Sequence, residues 1–263
     1  MEVVPVKTSL VQAGENIISV ILKAINDAGL IIQDEDILLL ADKIVATSEG
    51  RIVNFKFIRP SKKAKRLAKK YSLEPPFVEL VLREAEEIYG GVPKALTTLK
   101  NNMLIANAGI DHKNAPKNSA CLWSINPNET ARKIWKSLSE KTGKKIGLIL
   151  VDSKVNPLRV GTTGFALGIA GIKPLRDFRG SLDLYNRKIL ITRLNVADDL
   201  AAAAHLVMGE AAESTPLVIV RGAPVEFTDN FDPNEIIISR DECMYMGIFL
   251  KRRKHKDEKL IAK

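Results

Sequence analysis

The stretch Ile146–Gly171, IGLILVDSKVNPLRVGTTGFALGIAG, decides how the chain is read. Its apolar run, Ile146 to Val151, stops abruptly at Asp152-Ser153. A short continuous apolar run bounded by turn signals reads as a buried strand. Delivering a carboxylate at the end of such a strand is one way to place a metal ligand. A polar loop with Pro157 and Arg159 follows, then a segment carrying Gly161, Gly164, Gly168 and Gly171. Glycines in that position let backbone N–H groups approach an anion. The stretch therefore predicts that Asp152 faces a metal–phosphate site. The plainer alternative is a buried strand ending in a solvated Asp, its glycines serving only tight packing.

Working outward, Val3–Val6 and Asp36–Leu40 read as further strands, the second running into Ala41-Asp42-Lys43. The segment Ile44–Arg51 then turns at Gly50. Between the first two strands, Glu15–Ala28 carries Ile17, Ile18, Ile21, Leu22 and Ile25 at helical spacing, with Gly29 as its stop. Pro60 and the N-cap Ser61 open a basic helix to Tyr71. After Pro75-Pro76 a second helix spans Phe77–Tyr89 and ends at Gly90-Gly91. Leu96–Leu99 and Met103–Ala106 form a hairpin around Lys100-Asn101-Asn102. A helix runs from Pro127 to Lys141 and closes at Gly143, with Trp135 on its buried face. Lys173–Asn186 is a polar loop and Lys188–Val196 a strand. An alanine-rich helix starts at Asp198-Asp199, acidic residues favouring the positive helix end. Leu217–Val220 is a last buried strand, and Ser239–Leu250 a last helix. This order lacks a regular βαβ rhythm. No GxGxxG or GxxxxGK[ST] follows a strand, so neither a Rossmann nor a P-loop fold is expected. The expected class is α+β, mixed sheets covered by helices. Residues 1–250 make one domain, with room for two interleaved subdomains, and 251–263 a basic tail.

Composition excludes several classes. Hydrophobic residues form 46 % of the 263, which argues against disorder. No apolar run approaches the ~20 residues needed to span a bilayer. The start, MEVVPVKTSL, lacks a basic segment followed by an apolar core, so no signal peptide is expected. Cys121 and Cys243 form no ligand cluster, and their usage fits a reducing, cytoplasmic compartment. Three scattered histidines argue against a His-based metal site. The net charge of +9 is concentrated in Lys62–Lys70 and in Lys251–Lys263. Such runs read as solvated faces rather than a nucleic-acid surface, since aromatics to stack on bases make up only 5 %. High Lys and Glu usage also suits a thermophile.

The second chemically rich stretch is Asn107–Asn114, NAGIDHKN. Asn107, Asp111 and Asn114 offer oxygen and amide groups around Gly109, which suits Mg²⁺ or Mn²⁺. The same pattern is equally a turn with Asx hydrogen bonds. In the alanine-rich helix His205 reads as a core histidine. Glu210 stands at the helix end, where the dipole disfavours a carboxylate, and invites a compensating cation. Asp111, Asp152 and Glu210, with Ser153, have the chemistry to hold two divalent cations that neutralise a nucleotide's phosphates.

These segments resemble the coenzyme F420-0 γ-glutamyl ligase family over roughly residues 1 to 250. The motifs are ADKIVATSEGR (41–51), NAGIDHKN (107–114), VDSKVNPLRVGTTGFALGIAG (151–171), DLYNR (183–187), ADDLAAAAHLVMGEA (197–211) and LVIVRG (217–222). The resemblance implies a GTP-dependent ligase that adds L-glutamate through γ-linkages to a deazaflavin coenzyme precursor. It implies an intertwined homodimer using two Mg²⁺ or Mn²⁺ ions per site, with K⁺ as a further candidate ion. By position, Asp111, Asp152, Ser153 and Glu210 match metal ligands, and Asp152 and Arg159 catalytic residues. Lys43, Asn114, Met208, Gly209 and Glu213 match nucleotide contacts. Two departures stand out: Thr47 replaces a phosphate-binding Lys, and Asn156 replaces an Arg. Leu158 also replaces a Trp. Lys113, Lys154 and Arg176 are candidate substitutes. The lost cations motivate one alternative, a non-catalytic or substrate-shifted member that binds nucleotide or coenzyme; the basic run Lys62–Lys70 and the basic tail motivate another, a nucleic-acid-binding protein.

Overall fold

Two apolar runs of near-identical character, ILLLA and GLILV, lie side by side in the computed structural model, which describes residues 1–247. They are β2 (Ile37–Ala41) and β8 (Gly147–Val155), parallel and in register from Ile37↔Gly147 to Ala41↔Val151. Unbroken apolar runs suit strands buried on both faces, and Leu38, Leu39, Leu40, Leu148, Ile149 and Leu150 are all fully buried. Three antiparallel partners complete the sheet: β1 (Glu2–Val6), β12 (Leu217–Arg221) and β9 (Thr162–Ala170), in the order β1-β12-β2-β8-β9.

Helices α1 (Ile17–Asp27) and α5 (Pro127–Thr142) cover one face, packing Ile21, Ile25, Ala131, Ile134 and Leu138 on Leu38, Leu40, Leu148 and Leu150. The Asn16 side chain caps α1 and Gly143, at φ +66°, ends α5. Helix α6 (Val196–Met208) packs on the opposite face, chiefly against β9 and β8.

A second core forms around α3 (Lys62–Tyr71), α4 (Pro75–Glu84) and the meander β4 (Glu87–Val92), β5 (Ala95–Lys100) and β6 (Met103–Ala106). A short ladder, β3 (Ile52–Asn54) with β7 (Ser119–Cys121), lies at its edge. The cations of α3 are exposed, and its buried residues are Ala64, Ala68 and Tyr71. Strands β10 (Leu175–Asp177) and β11 (Arg193–Asn195) pair at the root of a projecting arm. Met1–Pro233 forms one unit and the residues from Asn234 another; within the latter, Met244–Gly247 is helical. The rest of the helix expected to Leu250, and the basic tail, lie outside the described residues. Among the described residues no helix is long and apolar enough to cross a membrane.

Four expectations need correction. Gly164 and Gly168 are not in an anion-binding loop: they lie in strand β9, with Gly161 before it and Gly171 after it. A Cβ on Gly164 would lie 2.4 Å from Ala201 O, and one on Gly168 2.4 Å from Pro127 O. These glycines let α6 and α5 approach the sheet, which is the packing alternative. The strand expected to run into Ala41-Asp42-Lys43 stops at Ala41, and Asp42–Ser48 is helix α2; the turn expected at Gly50 is present. The helix over Phe77–Tyr89 stops at Glu84, and Glu87 onward pairs with β5, because cross-strand pairing overrides helical propensity. The strand over Lys188–Val196 shrinks to β11, and the preceding polar loop contains β10.

Candidate active site

Parallel pairing aims β2 and β8 the same way, so Asp42-Lys43, just past β2, come beside Asp152, which is not at the strand end expected but inside β8 where that strand runs on past β2 to Val155, paired with β9. The loop Asn107–Asn114 reaches them from the second core. Asp111 is fixed by exchanging backbone hydrogen bonds with Cys121, N to O at 3.1 and 2.9 Å. The turn after α6 brings Glu210. Residues distant in sequence thus meet at one end of the sheet.

Lys43 Nζ donates to Asp111 Oδ2 at 2.6 Å and to the Lys113 carbonyl at 2.7 Å. Lys113 N donates to Asp111 Oδ1 at 3.0 Å, and Lys113 Nζ to Glu210 Oε2 at 2.5 Å. Glu210 Oε1 accepts from Thr162 Oγ1 and faces His205 Nε2, both at 2.8 Å. Asn114 Nδ2 donates to the Ala211 carbonyl at 2.7 Å and so ties the loop to the turn Gly209–Glu213. Within that turn Ala211 N donates to Glu213 Oε2 at 2.8 Å. A Cβ on Gly209 would strike the Glu213 carboxyl at 2.3 Å.

Asp152 accepts from Trp123 Nε1 at 2.5 Å and from Ser153 N at 2.8 Å. Trp123 is buried and lies flat against Gly109, where any Cβ would sit 2.1 Å from the indole. Behind it, Asp42 is buried and accepts from Ser124 N at 3.0 Å and Ser124 Oγ at 2.6 Å.

The charges respond as this crowding requires. Burial pushes the Asp152 carboxyl up, against the bonds from Trp123 and Ser153 and the Lys43 charge; the Asp111 charge adds to the rise. Burial likewise pushes Asp42 up to about 7, against the Ser124 bonds and with the Asp152 and Glu49 charges. Partial burial raises Glu210, yet bonds from Lys113, His205, Thr162 and Ser153 outweigh it and hold the carboxyl at about 2. The bond to Glu210 holds Lys113 above the usual lysine value.

Of the residues expected from sequence, Lys43, Asp111, Asn114, Glu210 and the turn through Gly209 and Glu213 are linked by these bonds; Asp152 and Ser153 adjoin them through charge and the Ser153–Glu210 bond. Met208 is buried at the end of α6. Arg159 is exposed on the β8–β9 connection and enters none of these bonds. Thr47 bonds the Cys121 thiol, and Asn156 Nδ2 bonds Thr163 Oγ1 at 2.8 Å. Of the candidate substitute cations, Lys154 pairs with Asp198 at 3.1 Å and Arg176 lies over the Phe178 ring, so Lys113 is the one at the carboxylates. His205 is a Glu210 partner rather than a mere core residue. Asp42, Trp123 and Ser124 escaped sequence reasoning. Asp42 had a visible signal, a carboxylate at the end of an apolar run like Asp152; Trp123 had none.

Among the described residues no three His, Cys, Asp or Glu side chains stand close enough to share one ion. Asp111 and Asp152 fit a divalent cation as a pair: both offer carboxylate oxygens, and the Asp111 charge acts on the Asp152 carboxyl.

Fold and site together define an α+β protein that gathers carboxylates, ammonium groups and an amide from remote segments around the edge where β2 ends and β8 runs on. The chain belongs to the F420-0:γ-glutamyl ligase family, whose model matches residues 5–222. It is 40 % identical over 216 residues to the coenzyme F420:L-glutamate ligase of Methanothermobacter thermautotrophicus, covering 82 % of this chain and 86 % of that protein. The protein of the same name from Methanocaldococcus jannaschii is 39 % identical over 215 residues, 81 % and 86 % of the two chains. That from Archaeoglobus fulgidus is 35 % identical over 226 residues, 86 % and 89 %.

Proposed function

We propose that this protein joins L-glutamate by a γ-linkage to a coenzyme F420 precursor, with GTP as the co-substrate that activates the acid. The observation that carries the reading is the meeting of Lys43, Asp111, Asn114, Lys113 and Glu210 beside Asp152 in a member of this family. Carboxylate oxygen is a poor leaving group and phosphate a good one, so amide formation from a carboxylate needs prior phosphorylation. The precursor's carboxylate attacks the γ-phosphorus, and the bond to the β-bridging oxygen breaks, releasing GDP. The glutamate amine then attacks the acyl carbon, and phosphate leaves with the C–O electron pair.

Asp111 and Asp152, with Ser153, would hold Mg²⁺ or Mn²⁺. Such an ion supplies Lewis-acid neutralisation of phosphate oxygens. The Lys43 and Lys113 ammonium groups would orient the phosphates. Asn114 and the turn Met208–Glu213 would seat the nucleotide, and Arg159, at the exposed end of the strand pair, would meet the anionic coenzyme. The protein would act as a homodimer, the projecting arm serving as the clasp.

The test is turnover with GTP, Mn²⁺, L-glutamate and the deazaflavin precursor. GDP and a product heavier by one glutamyl unit are expected. Asp152→Asn should cut kcat/KM by about 100-fold or more, the loss typical of one preorganised electrostatic group. Binding of GTP and precursor without GDP under any of these conditions overturns the reading.

A further inference from the structure

The Glu210 carboxylate is bonded by four groups, Lys113, His205, Thr162 and Ser153, where Asp111 and Asp152 each accept from two and keep lone pairs for an ion. Oε1 takes the Thr162 hydroxyl and faces His205 Nε2, both at 2.8 Å, and Oε2 takes Lys113 Nζ at 2.5 Å. Ser153 adds a further hydrogen bond. A small divalent cation needs carboxylate lone pairs aimed at itself in near-octahedral array. Donors from three sides of the protein already claim them here, so the expected second ion does not fit at Glu210.

Lys113 is also more than a surface lysine that happens to reach an acid. Its backbone N–H donates to Asp111 Oδ1 at 3.0 Å, and its carbonyl accepts from Lys43 Nζ at 2.7 Å. The backbone is therefore anchored at Asp111 while the ammonium is delivered to Glu210. The charges of Asp111 and Asp152 act on that ammonium as well. His112, beside it, stacks on Phe77 with ring centroids 4.2 Å apart, which fixes the loop to α4.

We propose that the Lys113 ammonium takes the place of a second divalent cation at Glu210, so that the chain holds one divalent ion, at Asp111 and Asp152, and uses a built-in cation on the Glu210 side. The proposal rests on the nucleotide-dependent ligase reading and deepens it. It also locates the compensation for the two cations missing at Thr47 and Asn156. A lysine brings one positive charge that needs no recruitment from solution, and it binds phosphate as a point charge.

The experiment is an equilibrium titration of the full-length protein with Mn²⁺ at saturating GDP, bound metal being read from the loss of the free-ion paramagnetic resonance signal. One Mn²⁺ per chain is expected for the wild type. Two are expected for Lys113→Ala, the second giving a spin-coupled spectrum. Lys113→Met, which keeps side-chain bulk without the charge, repeats the measurement should the alanine variant not fold. Two Mn²⁺ in the wild type overturn the proposal, as does a single Mn²⁺ in the wild type and both variants, or none in any. GDP release from GTP is measured on the same wild-type sample. Turnover with two bound ions sinks this inference and spares the ligase reading; one bound ion without turnover does the reverse.

Discussion

Burial and hydrogen bonding pull the Asp42 carboxyl in opposite directions, and burial wins, setting it at about 7. Its unfolded value is near 4. Between those two values the folded chain keeps a proton that the unfolded chain has lost, so stability must fall as pH rises from about 4 to about 7 and level off above. The slope is at most about 1.4 kcal/mol per pH unit. Asp152, also raised by burial, adds to the same trend. Glu210, held at about 2, has the opposite sign, its stabilisation disappearing only on acidification towards that value. Asp42→Asn stays neutral throughout and can keep the Ser124 pairing. Its melting temperature should therefore vary less than the wild type's between pH 4 and 7; an equal decline in both proteins would count against the assignment. Trp123 gives a second test at this scale. Its N–H favours the ionised form of Asp152. Trp123→Phe should cost about 1–3 kcal/mol of stability for the unmade bond. It should also move the acid limb of the kcat/KM profile to higher pH, which a purely structural role would leave in place.

At the level of elements, the glycines of β9 act through close approach. Gly164→Ala places a methyl 2.4 Å from the Ala201 carbonyl, and neither the α6 backbone nor the sheet can yield cheaply. A loss of about 1–3 kcal/mol is expected, read as a lower denaturation midpoint at unchanged slope. Ala202→Ser, on the exposed side of the same helix, should change stability by less than about 0.5 kcal/mol. That contrast shows which part of the fold was legible in the sequence. Asp36–Leu40, Ile146–Val151 and Leu217–Val220 announced themselves as strands because apolar runs buried on both faces have few other uses. Pro127 at the start and Gly143 at the end bracketed α5 for equally local reasons. Glu87–Val92 and Thr162–Ala170 did not, since the first has helical composition and the second is glycine-rich; both become strands only through their partners β5 and β8. The site divides the same way. Asp111, Asp152 and Glu210 could be named from their positions in a loop, at the end of an apolar run and at a helix end, and from family resemblance. The bond from Trp123 to Asp152 and the reach of Lys113 to Glu210 join residues 29 and 97 positions apart, and no local pattern carries them.

For the whole molecule, the arm beyond β10 and β11 poses a solvation problem that one copy of the chain does not solve. The arm is a two-stranded ribbon, held by Phe178 N to Thr192 O at 3.1 Å, Gly180 N to Ile189 O at 2.9 Å and Ile189 N to Ser181 O at 2.8 Å. It turns through Asp183–Arg187, where Asp183 N donates to Arg187 O at 2.9 Å. Leu182, Leu184, Tyr185, Leu190 and Ile191 stand exposed along it, Leu184 by 99 % and Ile191 by 86 %. An isolated ribbon of two strands is marginal in water, and clustered exposed apolar side chains mark a contact surface. Burying Leu184 and Ile191 together would return about 3–6 kcal/mol by transfer. A second copy of the chain is the proposed occupant, which gives the interface two equivalent arms and doubles that return. Sedimentation of the wild type at micromolar concentration should show a dimer. Leu184→Asp combined with Ile191→Asp places two unpaired carboxylates on the contact and should shift the protein to monomer without altering its far-ultraviolet dichroism, because neither side chain belongs to the two main cores. A wild-type monomer at those concentrations, or a dimer unmoved by the double substitution, would leave the arm without this role.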